Sequence, residues 1–163
     1  MSYEVLIKEV ENGLQGKNNG LSMGFPKLAR YIGIRKRVMT LVFGASGSGK
    51  TAFVHTAFVL NPFEQYFKIK DKSKFKFKVI LFSMERSKVY IIAKWVSRKI
   101  FLDTGTLIPI QKMLGWWDVK LTEEELQLIK DCQGYVDELL KVVDIVEGSQ
   151  NPTGIYKYVK KYA

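Results

Sequence analysis

The sequence predicts an α/β fold with a mostly parallel sheet flanked by helices, and three observations predict it. Short apolar runs at 38–43, 79–83 and 142–146 alternate with stretches of helical periodicity. The first run leads directly into a glycine-rich loop and a helix, the context of a buried parallel strand. The order strand, helix, strand, helix, helix, strand, helix supplies the crossovers that parallel strands require. The 163 residues suit about one domain with a real core.

Residues 2–12, SYEVLIKEVEN, read as a short amphipathic helix with Val5, Leu6, Glu9 and Val10 at helical spacings. GLQGKNNG at 13–20 reads as a linker, so the expected division is 1–20, helix and linker, and 21–163, core. In LSMGFPKLARYIGI, Pro26 is a breaker. VMTLVF at 38–43 is the first strand. TAFVHTAFVL continues the glycine-rich loop as a helix, which Asn61-Pro62 is expected to stop.

Lysines at 68, 70, 72, 74, 76 and 78 alternate with Phe67, Ile69, Phe75 and Phe77 among the intervening residues. An extended chain places all six lysines on one face. Two readings follow: a grip on single-stranded DNA by phosphate contact and stacking, or an edge strand protected from aggregation. VILFS at 79–83 is the second strand. From Ser87, the residues Val89, Ile92, Ala93, Val96 and Ile100 share a helical face. Residues 104–117 are irregular. Thr122 and Glu125 form a capping box that opens a helix to about Leu140. VVDIV at 142–146 is the third strand, Gly148 to Gly154 a turn, and IYKYVKKYA a final helix.

The loop at 44–51 carries the strongest chemical signal. Gly44, Gly49, Lys50 and Thr51 meet the pattern G-x-x-x-x-G-K-[ST], with Ala45, Ser46, Gly47 and Ser48 between. Glycines let the backbone N–H groups curl around phosphate oxygens, and the helix start adds partial positive charge. Lys50 reaches the β- and γ-phosphates, and the Thr51 hydroxyl coordinates Mg²⁺. The pattern predicts a P-loop NTPase that binds ATP and Mg²⁺. The plainer reading is a chance Gly/Ser turn before a helix.

Glu85 follows the second strand in VILFSMERSK, at the sheet edge where parallel α/β folds bind ligands. There it could activate the water that attacks a γ-phosphate, or simply favour the dipole at the next helix start. The glycine-rich loop followed by a strand ending Phe-Ser-Met-Glu resembles the RecA-like ATPase core of replicative hexameric DNA helicases, the DnaB-like family, bacteriophage type. SMGFPKLARYIGIRKRVMTLVFGASGSGKTAF resembles that family's entry, and VVDIVEGSQNPTGIYKYVKK its next strand, turn and helix. The likeness spans residues 20–163. It implies a RecA-like parallel sheet, with Glu85 as catalytic base, Lys50 beside it in catalysis, single-stranded DNA as partner and a homo-oligomer, a hexamer when intact. It also implies an incomplete core. The strand of the Mg²⁺-associated aspartate, the DNA-binding loops and the arginine finger fall outside the resemblance, and the 66–78 segment departs from it as an insertion or long hairpin.

Other residues carry alternatives. Asp144, in LLKVVDIV, resembles a Walker B aspartate and would make the chain a small P-loop kinase, although Ile145 and Val146 continue the strand beyond it. A regulatory partner that binds nucleotide without turnover is a further alternative. Trp116-Trp117 suit either an interaction surface or, as is commoner for large aromatics, a core or subunit contact. His55 lies inside a helix without metal-ligand companions and reads as structural. The 2–12 helix docks either on a neighbouring subunit, as the resemblance implies, or on its own domain.

The net charge of +10 favours anionic partners. A hydrophobic fraction of 47% and aromatic fraction of 13% exclude a disordered chain. No apolar run is long enough to cross a bilayer, and the N-terminus lacks a signal-peptide cleavage pattern. Cys132 has no disulfide partner, so the expected setting is reducing and cytoplasmic.

Overall fold

The computed structural model describes residues 3–18, 20–35, 38–70, 77–116, 118–148 and 150–162. The chain forms two compact units, Met1–Lys76 and Phe77–Ala163. It is mixed α/β, with a small parallel sheet in the second unit.

In the first unit, α1 spans Tyr3–Leu14 and buries none of its residues. A short α2, Pro26–Ala29, starts at proline, whose missing N–H costs nothing in a first helical turn. Then one helical run carries three segments: α3 at Lys50–His55, a π-helical turn at Thr56–Leu60, and α4 at Asn61–Phe67. The expected stop at Asn61-Pro62 does not occur. Proline cannot donate to the carbonyl four residues back and its ring crowds it. The π turn widens the ladder there, and Asn61 N–H donates five residues back to Thr56.

Met23, Ala57, Val59, Leu60 and Phe63 form the buried apolar set of this unit. Two side chains of α4 fix the approaching loop. Asn61 Nδ2 donates to the Met23 carbonyl at 2.7 Å, and Gln65 Nε2 donates to the Ser22 carbonyl at 2.6 Å. Gly24 makes this approach possible: its φ is +77°, and a Cβ would stand 2.2 Å from Asn61 Nδ2.

The expected strand at 38–43 is not formed. Val38, Met39, Leu41 and Phe43 are exposed, Phe43 at 90%. β-branched composition supplies propensity but no ladder partner. Among the described residues of this unit, the strand-like pairing is the single Leu21–Ile34 bridge.

In the second unit, β1 at Val79–Ser83 and β2 at Val143–Glu147 match the expected second and third strands. They pair in parallel, from Val79 opposite Val143 to Ser83 opposite Glu147. Between them runs α5, Lys88–Thr104. Its N-cap Ser87 accepts from Tyr90 N–H, and Gly105 closes its end at φ 74° with an N–H bond to Phe101. α6 spans Ile110–Met113. The capping box forms as expected: Thr122 accepts from Glu125 N–H, and Glu125 reaches back to Thr122 N–H. The helix it opens is shorter than expected. α7, Glu123–Asp131, and α8, Gln133–Val142, meet at Cys132, whose N–H bonds three residues back to Ile129. α9 spans Pro152–Lys160, capped by Asn151.

The core of this unit joins α5 to α7 and α8. Val96, Ile100, Ile108 and Cys132 are buried together, packed by Ile92, Leu128, Ile129 and Val136. Burial pushes the Cys132 thiol above its ordinary value, against the charge of Lys99, which fits a packing role. Ser97 Oγ donates to the Ile108 carbonyl at 2.6 Å and ties the loop after α5 to its helix.

The lysine-rich segment is not one extended comb as far as it is described. Lys68 lies in the turn that ends α4, and Lys78 immediately precedes β1. Lys72, Lys74, Lys76 and Phe75 lie outside the described residues, as does Trp117. Among the described residues, no helix is long and apolar enough to cross a membrane.

Candidate nucleotide site

The loop Gly44–Gly49 belongs to the first unit and turns directly into α3. Its two inner glycines have left-handed backbones, Gly47 at φ 76° and Gly49 at φ 84°. A Cβ at either would meet nothing, so glycine is required there by conformation rather than by space. At Gly44 the limit is steric, since a Cβ would lie 2.9 Å from Ser48 Oγ. Ser48 N–H donates to the Ala45 carbonyl at 3.3 Å and tightens the turn.

Lys50 folds back over this turn. Its Nζ donates to the Gly44 carbonyl at 2.9 Å and the Ala45 carbonyl at 2.6 Å. The ammonium therefore sits above the loop on the side of its first two residues. Thr51, one residue later, is exposed. The first turn of α3 also carries N–H groups that no helix carbonyl can accept. A cation, a hydroxyl and helix-start N–H groups are a donor set that fits phosphate oxygens and Mg²⁺.

Glu85 belongs to the second unit. It lies in the bend after β1, exposed at the C-terminal edge of the sheet. Ser83 fixes this bend: its Oγ donates to the Arg86 carbonyl at 2.6 Å and accepts from Arg86 N–H at 3.3 Å. Opposite Ser83 stands Glu147, the last residue of β2. Its Oε1 accepts from Lys88 N–H in the first turn of α5, while Gly148 N–H donates to the Ser83 carbonyl. A carboxylate at a helix start is favoured by the dipole. Glu147 escaped the sequence reading. Its signal was present: it is the acid that closes the apolar run, directly before Gly148.

Asp144 has a different setting. It is the second residue of β2, toward the strand's N-terminal end. One carboxylate oxygen accepts from Lys78 Nζ at 2.8 Å and the other from the Tyr162 hydroxyl at 2.5 Å. Partial burial pushes its carboxyl up, but the bonds from Lys78 and Tyr162 outweigh this and hold it below its ordinary value. The same bond pushes the Tyr162 hydroxyl far up. Asp144 thus ties β2 to the residue just beyond α9, near the end of the strands opposite Glu85.

His55 is buried in α3, as a structural residue would be. Trp116 stacks on Tyr90 with ring centroids 6.0 Å apart, and Arg86 lies 4.8 Å from the Tyr90 ring. The Gly44–Gly49 loop belongs to one unit, and Glu85, Asp144 and Glu147 belong to the other. No family model, no curated protein and no solved structure matches the chain.

Proposed function

We propose that this chain binds ATP with Mg²⁺ at Gly44–Thr51 and is the nucleotide-binding part of a RecA-like DNA helicase. The observation that carries the reading is the loop itself: left-handed Gly47 and Gly49, a helix start, and Lys50 poised over the turn. In this reading Lys50 exchanges its two carbonyl bonds for phosphate oxygens, where a charge-assisted bond is stronger. Bound Mg²⁺ would neutralise phosphate charge, with the Thr51 hydroxyl as its protein ligand. Glu85 acts as general base toward the attacking water. Hydrolysis belongs to the oligomer and is coupled to movement on single-stranded DNA. The kinase reading is weaker, because Lys78 and Tyr162 already hold both oxygens of Asp144.

Phosphate release with and without single-stranded DNA, for the parent chain and Glu85→Gln, tests this function. DNA-stimulated release that falls about a hundredfold or more in the variant is expected, the usual scale of a general base. Release that the variant leaves unchanged removes Glu85 from the reaction. Binding of ATP without any release, with or without DNA, supports a regulatory partner instead.

A further inference from the structure

The helix α9 has two unlike sides. On one, Tyr158 meets Phe82 edge-on, ring centroids 5.9 Å apart, and beyond the helix Tyr162 bonds to Asp144. These contacts anchor α9 to the strands. On the other side Tyr156, Lys157 and Lys160 are exposed, Tyr156 at 65%, and Lys161 extends the exposed stretch. Lys160 Nζ lies 5.9 Å from the Tyr156 ring and Lys161 Nζ 5.4 Å from the Tyr158 ring. Residues 152–162 hold three lysines, three tyrosines and no acid. None of the described ion pairs involves Lys157, Lys160 or Lys161.

We infer that this face of α9 is a binding surface for single-stranded nucleic acid, with Lys157, Lys160 and Lys161 on backbone phosphates and Tyr156 beneath a base. Unpaired ammonium groups interleaved with exposed rings are what a flexible polyanion with planar bases recognises. A sequence-independent grip follows, because every base has a π-face. An acidic membrane is the poorer partner. Ile155 and Tyr158 are half-buried within the unit and Val159 is the one exposed aliphatic side chain of α9, too little apolar surface to enter a bilayer. The surface is also separate from the candidate catalytic edge. Its anchor, the Lys78–Asp144–Tyr162 contact, lies at the N-terminal ends of the strands, and Glu85 follows the C-terminal end of β1.

The inference rests on the helicase reading only for the choice of DNA as ligand. The test is fluorescence anisotropy of a labelled oligothymidylate with the full chain over a salt series. Lys157→Gln/Lys160→Gln/Lys161→Gln is compared with the charge-matched Lys8→Gln/Lys120→Gln/Lys130→Gln, lysines that are exposed elsewhere. Loss of three phosphate contacts should weaken binding on the order of a hundredfold at about 0.1 M salt and flatten the log–log salt slope by about 2. Tyr156→Ala should weaken binding about tenfold and leave the slope unchanged. The charge-matched control should move both quantities much less. Equal effects in the two triple variants, no binding by the parent chain, or tighter binding to phosphatidylserine vesicles than to the oligonucleotide would each overturn the inference. ATP binding measured on the same proteins separates the two readings. If the parent binds DNA through α9 but no ATP, the nucleotide site fails and this surface stands; if it binds ATP and the α9 variant keeps full DNA affinity, the reverse holds.

Discussion

Asp144 and Lys50 are both polar groups engaged by near neighbours, yet they have opposite prospects. Asp144 is half-buried and held by two donors, Lys78 and Tyr162, so releasing it would strand a charge. Lys50 is bonded to two carbonyls of an exposed loop, so its bonds exchange readily. The first arrangement is structural and the second is suited to a ligand. Asp144→Asn should lower stability at neutral pH by about 1–2 kcal/mol, the scale of hydrogen bonds to a charged group. The pH dependence has a definite sign. The folded carboxyl titrates below its ordinary value of 3.8, so its stabilisation is present above that value and is lost as pH falls through the folded pKa. Urea midpoints of parent and variant should therefore converge on acidification below about pH 4. Midpoints that stay equally far apart down to full protonation would show that the bonds do not depend on the charge. At this scale the sequence was legible at Gly49, where the left-handed backbone ahead of α3 is one that glycine adopts freely. For Glu147 the sequence marks an acid closing an apolar run, but only the register of β1 against β2 puts that carboxylate beside Ser83.

The elements formed as expected where local chemistry decides them. β1, β2 and α5 follow from apolar periodicity, and α7 begins at its capping box. Thr122→Ala should cost about 1 kcal/mol, since one side-chain bond to a helix-start N–H is lost. A thermal melt of the variant at neutral pH measures it, and an unchanged midpoint would mean that the cap is redundant. Gly24→Ala should cost more, about 2 kcal/mol, because the substitution meets both a left-handed backbone and Asn61. Two of the expectations that the structure does not meet, the strand at 38–43 and the stop at Pro62, share a cause. Whether 38–43 pairs depends on a neighbour that its own residues do not specify. Whether Pro62 ends a helix depends on whether the preceding turn can widen, and the Thr56–Leu60 turn does so. Both outcomes are tertiary or regional, beyond the reach of a local pattern.

The chain divides at Lys76, and each unit contains buried apolar residues. In the second unit every member of the cluster around Val96, Ile100, Ile108 and Cys132 comes from residues 92–136. A fragment of residues 77–163 should therefore keep its helical circular dichroism and unfold cooperatively on its own. A featureless melt would show that the first unit is needed to hold it. The division also sets what the functional reading requires. The candidate nucleotide loop, with Lys50, belongs to the first unit and the candidate base Glu85 to the second, so binding can be tested without catalysis. The excess of 26 basic over 16 acidic residues suits an anionic nucleotide and an anionic polymer alike, and only site-specific changes tell them apart. The decisive measurement is titration calorimetry of Mg²⁺-ATP into the parent chain and Lys50→Ala. Binding by the parent that weakens at least about tenfold in the variant, the scale of one charge-assisted contact, is the expected result. Equal affinity in both proteins, or none in the parent, would contradict the assignment of Gly44–Thr51 as a nucleotide site.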